Sequence, residues 1–278
     1  MFKRTTWYLI LVIALTGLIS LSIGFVKALQ VTGGAGTTAA GNITKPENTV
    51  DKTVAAKTYA VAKDPNSCKI LIMGDSIALG TGDEKGKGFS TNLLDNLRPQ
   101  TTKVLSVDNI AINGLQSDGL MEQLKEEKPK ALLAGSDLVV ISIGGNDLRE
   151  LRRSQNSTTL IQNGFKTIED AYLKNLQEIF GTIRKYSPES YIVFVGLYNP
   201  YEKDATSIED TKYMNTWNYD TQKLFEADDR AIFIPTYDIF KYNLSRFIAA
   251  DGLHPNSLGY QEVAKRISKS VENTFNLK

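Results

Sequence analysis

From residue 69 onward, short apolar runs alternate with longer segments that have helical spacing. Five runs are largely apolar, and they are residues 69–73, 104–107, 138–143, 191–195 and 231–234. Continuous hydrophobicity is typical of strands that are buried on both faces, as in a parallel sheet covered by helices. The pattern therefore predicts five strands of a parallel sheet, each covered on both sides.

Between these runs, apolar residues recur at steps of three or four, which is the spacing of one helix face. The longest stripe predicts one long helix and consists of Ile161, Phe165, Ile168, Tyr172, Leu176, Ile179 and Ile183. Two shorter stripes predict the last helix and a helix that ends near Pro129; they consist of Tyr260, Val263, Ile267 and Val271, and of Leu120 and Leu124. This alternation of strands and helices predicts one three-layer α/β/α domain over residues 67–278.

The first 66 residues have a different pattern. Residues 7–26 carry no charge and follow Lys3 and Arg4. As a helix this run spans about 30 Å, the thickness of a bilayer's hydrocarbon core, and the basic residues before it favour a cytoplasmic N-terminus. We expect residues 1–30 to be a membrane anchor. Residues 31–66, rich in Gly, Thr, Ala and Asn, are expected to be a flexible linker.

A signal peptide is the alternative to an anchor, since Val26-Lys27-Ala28 resembles a cleavage site with small residues. Cleavage there would release the domain as a secreted protein. In both cases the sequence predicts an extracytoplasmic domain.

Composition narrows the classes of function. The chain has 32 Lys and Arg residues against 31 Asp and Glu residues, so it lacks the basic excess of nucleic-acid-binding proteins. One cysteine, Cys68, excludes an intramolecular disulfide. One cysteine and one histidine also fall short of the four soft ligands that a structural zinc site takes. We expect no metal site and no nucleic-acid partner, and interpret Cys68 as a structural residue.

Polar residues follow the apolar runs at four places. They are Gly74-Asp75-Ser76 after the first run, Asn113-Gly114 after the second, Gly144-Gly145-Asn146-Asp147 after the third, and Asp251-Gly252-Leu253-His254-Pro255 before the last helix. Ligands of open α/β sheets bind beyond the carboxyl ends of the strands. We therefore expect these groups to meet at one edge of the sheet, with Asp75 and Asp147 bracing the loops there.

These residue types suit nucleophilic catalysis. A serine hydroxyl such as that of Ser76 needs a base to take its proton, and His254 is the only histidine in the chain. Asp251 is placed to orient the imidazole ring. The backbone N–H groups of Ser76 and Gly114 and the side-chain amide of Asn146 are candidate donors to an oxyanion.

The four motifs, in this order, resemble blocks I, II, III and V of the SGNH (GDSL-type) hydrolase family. The resemblance covers residues 67–278 and implies a flavodoxin-like parallel sheet and a serine esterase mechanism without a metal or cofactor. It implies that Ser76 is the nucleophile, His254 the base and Asp251 its orienting partner. It also implies an oxyanion hole made by Ser76, Gly114 and Asn146. With its N-terminal segment, the chain is similar to bacterial cell-surface lipase/acylhydrolase-like members.

Aromatic residues follow the fourth apolar run. We hypothesise that Tyr198 and Tyr201 line the acyl site. Packing of these aromatics, and of Tyr213, Trp217 and Tyr219 after them, against the core is the alternative interpretation.

The leading functional prediction is an extracytoplasmic serine esterase or acylhydrolase, lipase- or lysophospholipase-like, acting on a small-molecule, lipid or glycan ester. An O-acetyl esterase or acetyltransferase acting on cell-wall or surface glycans is the second hypothesis, because the anchor and linker would hold the domain near such polymers. A catalytically silent surface binding module is the third.

Overall fold

Five parallel strands form a central sheet in the computed structural model of the chain, which describes residues 63–154, 158–201 and 207–274. They are β1 (Ser67–Gly74), β2 (Val104–Asn109), β3 (Leu138–Ser142), β4 (Tyr191–Val195) and β5 (Ala231–Ile234). Their order in the sheet is β2-β1-β3-β4-β5, which is the order of flavodoxin-like sheets. The predicted parallel sheet and its five strands are confirmed.

Helices cover the sheet on both faces. In chain order they are α1 (Ser76–Leu79), α2 (Gly88–Leu97), α3 (Ser117–Gln123), α4 (Glu127–Gly135), α5 (Gly145–Ser154), α6 (Thr158–Tyr186), α7 (Ser207–Lys223), α8 (Tyr237–Lys241), α9 (Leu244–Phe247) and α10 (Ser257–Thr274). A 3₁₀ turn, Arg98–Gln100, follows α2. The long helix and the last helix that the apolar stripes predict are α6 and α10.

Two hydrophobic cores, one on each face of the sheet, follow from the alternation of side chains along each strand. On β1, Ile70 and Ile72 belong to the core that α2 and α10 cover, whereas Leu71 and Met73 belong to the core that α3, α6 and α7 cover. The strands β3 and β4 alternate in the same way. This arrangement gives the three-layer α/β/α architecture.

The prediction that every strand is covered on both faces is wrong for β2. Only Leu105 and Val107 pack against a core, and Val104 is 71% exposed. The other face of this edge strand carries Val104, Ser106 and Asp108, two of them polar. A short apolar run does not reveal where its strand lies in the sheet.

The single helix that the sequence predicted to end near Pro129 is two helices in the structure. The first, α3, ends at Gln123, and Pro129 lies in the first turn of α4. Proline is tolerated there because the first N–H groups of a helix have no partner within it. Pro129 therefore marks a helix start, not the predicted stop.

The predicted membrane anchor, residues 1–30, and most of the predicted linker lie outside the described residues. Among the residues that the structure describes, no helix is both long and apolar enough to span a membrane. The boundary at residue 67 stays a prediction, although Lys63 already contacts the domain: its Nζ donates to the carbonyl of Ser136 at 2.7 Å and lies 3.1 Å from the carboxylate of Asp137.

Candidate active site

The turn at the end of β1 places Ser76 at the carboxyl edge of the sheet. Gly74 has a φ of 131°, and a Cβ there would overlap the carbonyl oxygen of Ser142, so only glycine allows this close approach to β3. Asp75 then caps α1, because its Oδ1 accepts a hydrogen bond of 2.9 Å from the N–H of Ile77. Ser76 is consequently the first residue of α1, and Asp75 braces the turn as predicted.

Ser76, His254 and Asp251 form one hydrogen-bonded line, although Ser76 and His254 are 178 residues apart. His254 Nε2 lies 2.9 Å from Ser76 Oγ, and its Nδ1 lies 2.6 Å from Asp251 Oδ2. The other carboxylate oxygen of Asp251 accepts the N–H groups of Leu253 and His254 at 2.9 and 3.0 Å. The carboxylate therefore fixes both the turn and the ring, so that a proton on Nδ1 leaves Nε2 free to accept from the serine hydroxyl.

Electrostatics favour this arrangement. Partial burial pushes the pKa of Asp251 upward, but hydrogen bonds from the His254 ring and from the N–H groups of His254 and Leu253 hold it below its ordinary value. Asp251 is therefore ionised at neutral pH. An ionised carboxylate stabilises an imidazolium on the neighbouring ring.

Of the three predicted oxyanion donors, Ser76 begins α1, Asn146 lies in the first turn of α5, and Gly114 lies in the turn between β2 and α3, outside the residues that line the cavity. Asn146 lines the same cavity as Ser76, and its Nδ2 donates one hydrogen to the carbonyl of Leu115 at 3.0 Å. This contact orients the amide and leaves its second hydrogen for another acceptor. Within the described part of the chain, neither the Ser76 N–H nor the Gly114 N–H donates a hydrogen bond.

Asp147 braces the loop that carries Asn146. Its carboxylate accepts the N–H of Ser117 at 3.1 Å and the Ser117 hydroxyl at 2.5 Å, and Asn175 donates to the same hydroxyl at 2.9 Å. Burial raises the pKa of Asp147, against the hydrogen bonds from Ser117. These contacts join α5, α3 and α6 behind the predicted oxyanion donors, in agreement with the bracing role predicted for Asp147.

A set of hydrogen bonds between Asp83 and Ser257, which we call the Asp83–Ser257 clamp, joins the loop after Ser76 to the start of the helix after His254. The sequence did not predict it. The Asp83 carboxylate accepts the Ser257 hydroxyl and three backbone N–H groups of its own loop, and Glu84 accepts the Ser257 N–H at 2.9 Å. In the same loop, Gly82 has a φ of 90°, and a Cβ there would lie 2.6 Å from the Cβ of His254. The only sequence signal is an acidic pair in a glycine-rich loop after Ser76 and a serine at the start of the last helix.

Tyr198 and Tyr201 both line the cavity next to Ser76. Tyr198 also supports the catalytic turn, because its hydroxyl donates to the carbonyl of Leu253 at 2.6 Å and its ring stacks on Phe240 at 4.0 Å. Trp217 is not among the residues that line the cavity, and it is fully buried in the core. That these tyrosines bind an acyl group stays a hypothesis.

We expect Tyr198→Phe to lower kcat about fivefold while KM and acyl preference stay within twofold, because a single hydrogen bond to the turn is lost and the aromatic wall is retained. Steady-state kinetics with p-nitrophenyl butanoate measure both constants. Tyr242→Phe, at an 81% exposed tyrosine outside the cavity, is the matched control. A change in KM alone would show that the hydroxyl binds substrate rather than holding the turn.

Asp75 gives the domain a pH-dependent stability. Burial raises its pKa to about 7, against hydrogen bonds from backbone N–H groups, which lower it. The folded state therefore holds this proton more tightly than the unfolded state, and its contribution to stability is lost as the pH rises from about 4 to about 7. We expect Asp75→Asn, which keeps a capping oxygen, to remove this slope. Urea unfolding at several pH values measures it; equal slopes in both proteins would contradict the expectation.

Cys68 is not placed to act as an alternative nucleophile. Burial, with a smaller contribution from Asp137, raises the pKa of Cys68 to about 11, so its thiol stays protonated at neutral pH. Cys68 also lies near the amino end of β1, away from the edge that carries Ser76. Among the described residues, no group of three or more His, Cys, Asp or Glu side chains is arranged to hold a metal ion.

Comparisons with known proteins show what the sequence is similar to. The model of the GDSL-like lipase/acylhydrolase family matches residues 72–262. The uncharacterized protein YpmR of Bacillus subtilis (strain 168) is 32% identical over 207 residues, which are 73% of this chain and 81% of YpmR. The spore germination lipase LipC of Bacillus licheniformis is 24% identical over 200 residues, which are 70% of this chain and 92% of LipC.

Solved structures share the fold. The crystal structure of the lipase Lip_vut3 from a goat rumen metagenome superposes with a TM-score of 0.67, covering 76% of this chain and 100% of that lipase at 20% identity. At this identity the likeness concerns the fold, and the chemistry has to be argued from the side chains.

Proposed function

Because the chain belongs to the GDSL-like lipase/acylhydrolase family, we propose that it hydrolyses carboxylic esters through an acyl-enzyme intermediate on Ser76. The observation that carries the proposal is the hydrogen-bonded line from Asp251 through His254 to Ser76 Oγ. The Nε2 atom of His254, 2.9 Å from Ser76 Oγ, is at the distance that general-base catalysis requires.

In the first step, Ser76 Oγ attacks the ester carbonyl while His254 Nε2 takes the hydroxyl proton. Asp251 holds the Nδ1 proton and stabilises the imidazolium that results. The protonated His254 then donates to the alkoxide of the leaving alcohol, and the acyl group stays on Ser76. In the second step, His254 takes a proton from water as the oxygen attacks the acyl carbon; the bond to Ser76 Oγ then breaks, His254 returns the proton to Oγ, and the carboxylic acid leaves.

The tetrahedral intermediates of both steps carry a negative charge on the former carbonyl oxygen. We assign its stabilisation to the N–H groups of Ser76 and Gly114 and to the second amide hydrogen of Asn146. Removal of one such donor typically slows catalysis roughly 100- to 1,000-fold. The Asn146–Leu115 hydrogen bond supports this assignment, because an amide that is already oriented needs little reorganisation during the reaction.

The site does not resemble that of a silent binding module. Such a module has no need of a base within 2.9 Å of a serine hydroxyl, nor of a carboxylate that fixes the base's tautomer. Hydrolysis and acyl transfer share the acyl-enzyme, and they differ in whether water or another hydroxyl attacks it.

The test is the turnover of p-nitrophenyl butanoate by the full-length chain, with p-nitrophenol and butanoate measured together. Hydrolysis gives equal amounts of both products. Butanoyl ester on an added oligosaccharide, in place of free butanoate, would identify an acyltransferase. Absence of turnover with this ester and with the other p-nitrophenyl esters, from acetate to palmitate, would contradict the proposed function.

We further propose that the domain acts outside the cytoplasm, held at the membrane by residues 1–30 or secreted after cleavage. Support comes from the uncharged run of residues 7–26 and from Lys3 and Arg4 before it. In a bacterial host that expresses the full chain, the domain is expected either in the medium, if it is cleaved, or on spheroplasts, where added protease degrades it. Complete protection, with a cytoplasmic control equally protected, would contradict this location.

A further inference from the structure

A cavity of about 140 Å³ lies beside Ser76 and His254 and extends across the carboxyl ends of the strands. Ser142 ends β3, Gly196 follows β4 and Thr236 follows β5, and all three line it. Neighbouring strands are about 4.8 Å apart, so the distance from β1 to β5 is roughly 14 Å. The cavity thus extends from the nucleophile toward the carboxyl end of β5, and we call it the channel.

Most side chains along this channel are apolar. Val195, Met214 and Val263 line it and are almost fully buried. The polar ones outside the triad and Asn146 include Asp75, whose carboxylate caps α1, Asn199, whose amide hydrogen-bonds Thr211 and the N–H of Tyr201, and Arg149, which is exposed. Two hydroxyl groups of the lining already donate to backbone carbonyls: Thr236 to Gly196 at 2.7 Å, and Tyr198 to Leu253 at 2.6 Å. These surroundings suit a hydrocarbon chain better than a sugar or a charged group.

We propose that this channel binds the acyl chain of the substrate and limits it to about four to eight carbons, because a cavity of about 150 Å³ accommodates a molecule the size of benzene. The inference rests on the proposed function, since the acyl carbon has to sit at Ser76. An acetyl group would leave most of the channel unfilled. A long fatty acyl chain would exceed it and leave methylene groups in water.

The test is a series of p-nitrophenyl esters from acetate to palmitate with the full-length chain. We expect kcat/KM to rise about fourfold for each methylene that is buried, up to six or so carbons, and to fall beyond eight. A flat dependence from two to eight carbons in an active enzyme would overturn the channel proposal and leave the proposed function intact. No turnover at any length would instead contradict the proposed function.

Variants of residues that line the channel test which side chains limit the length of the acyl chain. Val263→Ala enlarges the channel and is expected to move the optimum to longer chains. Val271→Ala is the matched control, because Val271 is equally buried on α10 but does not line the channel. Equal chain-length profiles for the two variants would overturn the proposal.

A second variant works in the opposite direction. Leu197 lines the channel, is only partly buried and lies in a loop. Leu197→Trp therefore narrows the channel with less disturbance of core packing than a substitution at a fully buried residue. We expect hexanoate turnover to fall at least tenfold more than acetate turnover. Equal losses for the two esters in the folded variant, with folding checked by circular dichroism, would contradict the assignment of this channel to the acyl chain.

Discussion

Ser76→Ala is expected to lower kcat for p-nitrophenyl butanoate roughly 10⁴- to 10⁶-fold, because the acyl-enzyme can no longer form. KM should change little, since the cavity and the backbone N–H of residue 76 remain. The substitution removes one oxygen from a side chain that is 9% exposed and keeps the N-terminal residue of α1, so the fold is expected to persist.

Ser90→Ala is the matched control for this variant. Ser90 lies on α2, outside the cavity, and its hydroxyl donates to a backbone carbonyl. Its activity is expected to equal that of the wild type. Residual activity of Ser76→Ala within tenfold of the wild type, measured after active-site titration excludes contamination, would contradict the assignment of the nucleophile.

His254→Ala is expected to cost about as much as Ser76→Ala, since the serine hydroxyl is unreactive without its base. The double variant should be no slower than either single variant, because the two residues act as one unit. Asp251→Asn should cost less than either, since the base remains. Additive losses in the double variant would contradict a shared step.

The role of His254 as the base can also be tested by chemical modification. His254 is its only histidine, so modification by diethyl pyrocarbonate at one imidazole per chain is expected to abolish activity, and hydroxylamine is expected to restore it. Loss of activity without modification of His254 would point to a different base.

The sequence predicted the sheet well, because the interior strands give the most regular hydrophobic pattern in the chain. The continuous runs at β1, β3 and β4 reflect burial on both faces, which is a property of the residues themselves. Strand order is not such a property, so the exposed face of β2 could not be read from the run of residues 104–107. The split of one predicted helix at Pro129 shows the same limit, since proline is common both at helix starts and after helix ends.

The fold brings Ser76, His254 and Asp251 together, and the chemical roles of the predicted site residues stay predictions until they are measured. Ser76 and His254 could be paired from the sequence because the chain has one histidine and one edge of the sheet to place it on. The Asp83–Ser257 clamp could not be predicted, because it depends on how the loop of residues 80–87 packs against the start of α10, which is far away in the sequence. The second role of Tyr198, its hydrogen bond to Leu253, needed coordinates for the same reason.

The nucleophilic role of Ser76 is most directly tested by labelling the full-length chain with a fluorophosphonate and mapping the adduct by mass spectrometry of its peptides. One adduct per chain is expected, on Ser76, with labelling lost in parallel with ester hydrolysis and strongly slowed in His254→Ala. An active enzyme that carries the adduct on another residue, or that stays unlabelled at Ser76 while it is inhibited, would contradict the proposed mechanism.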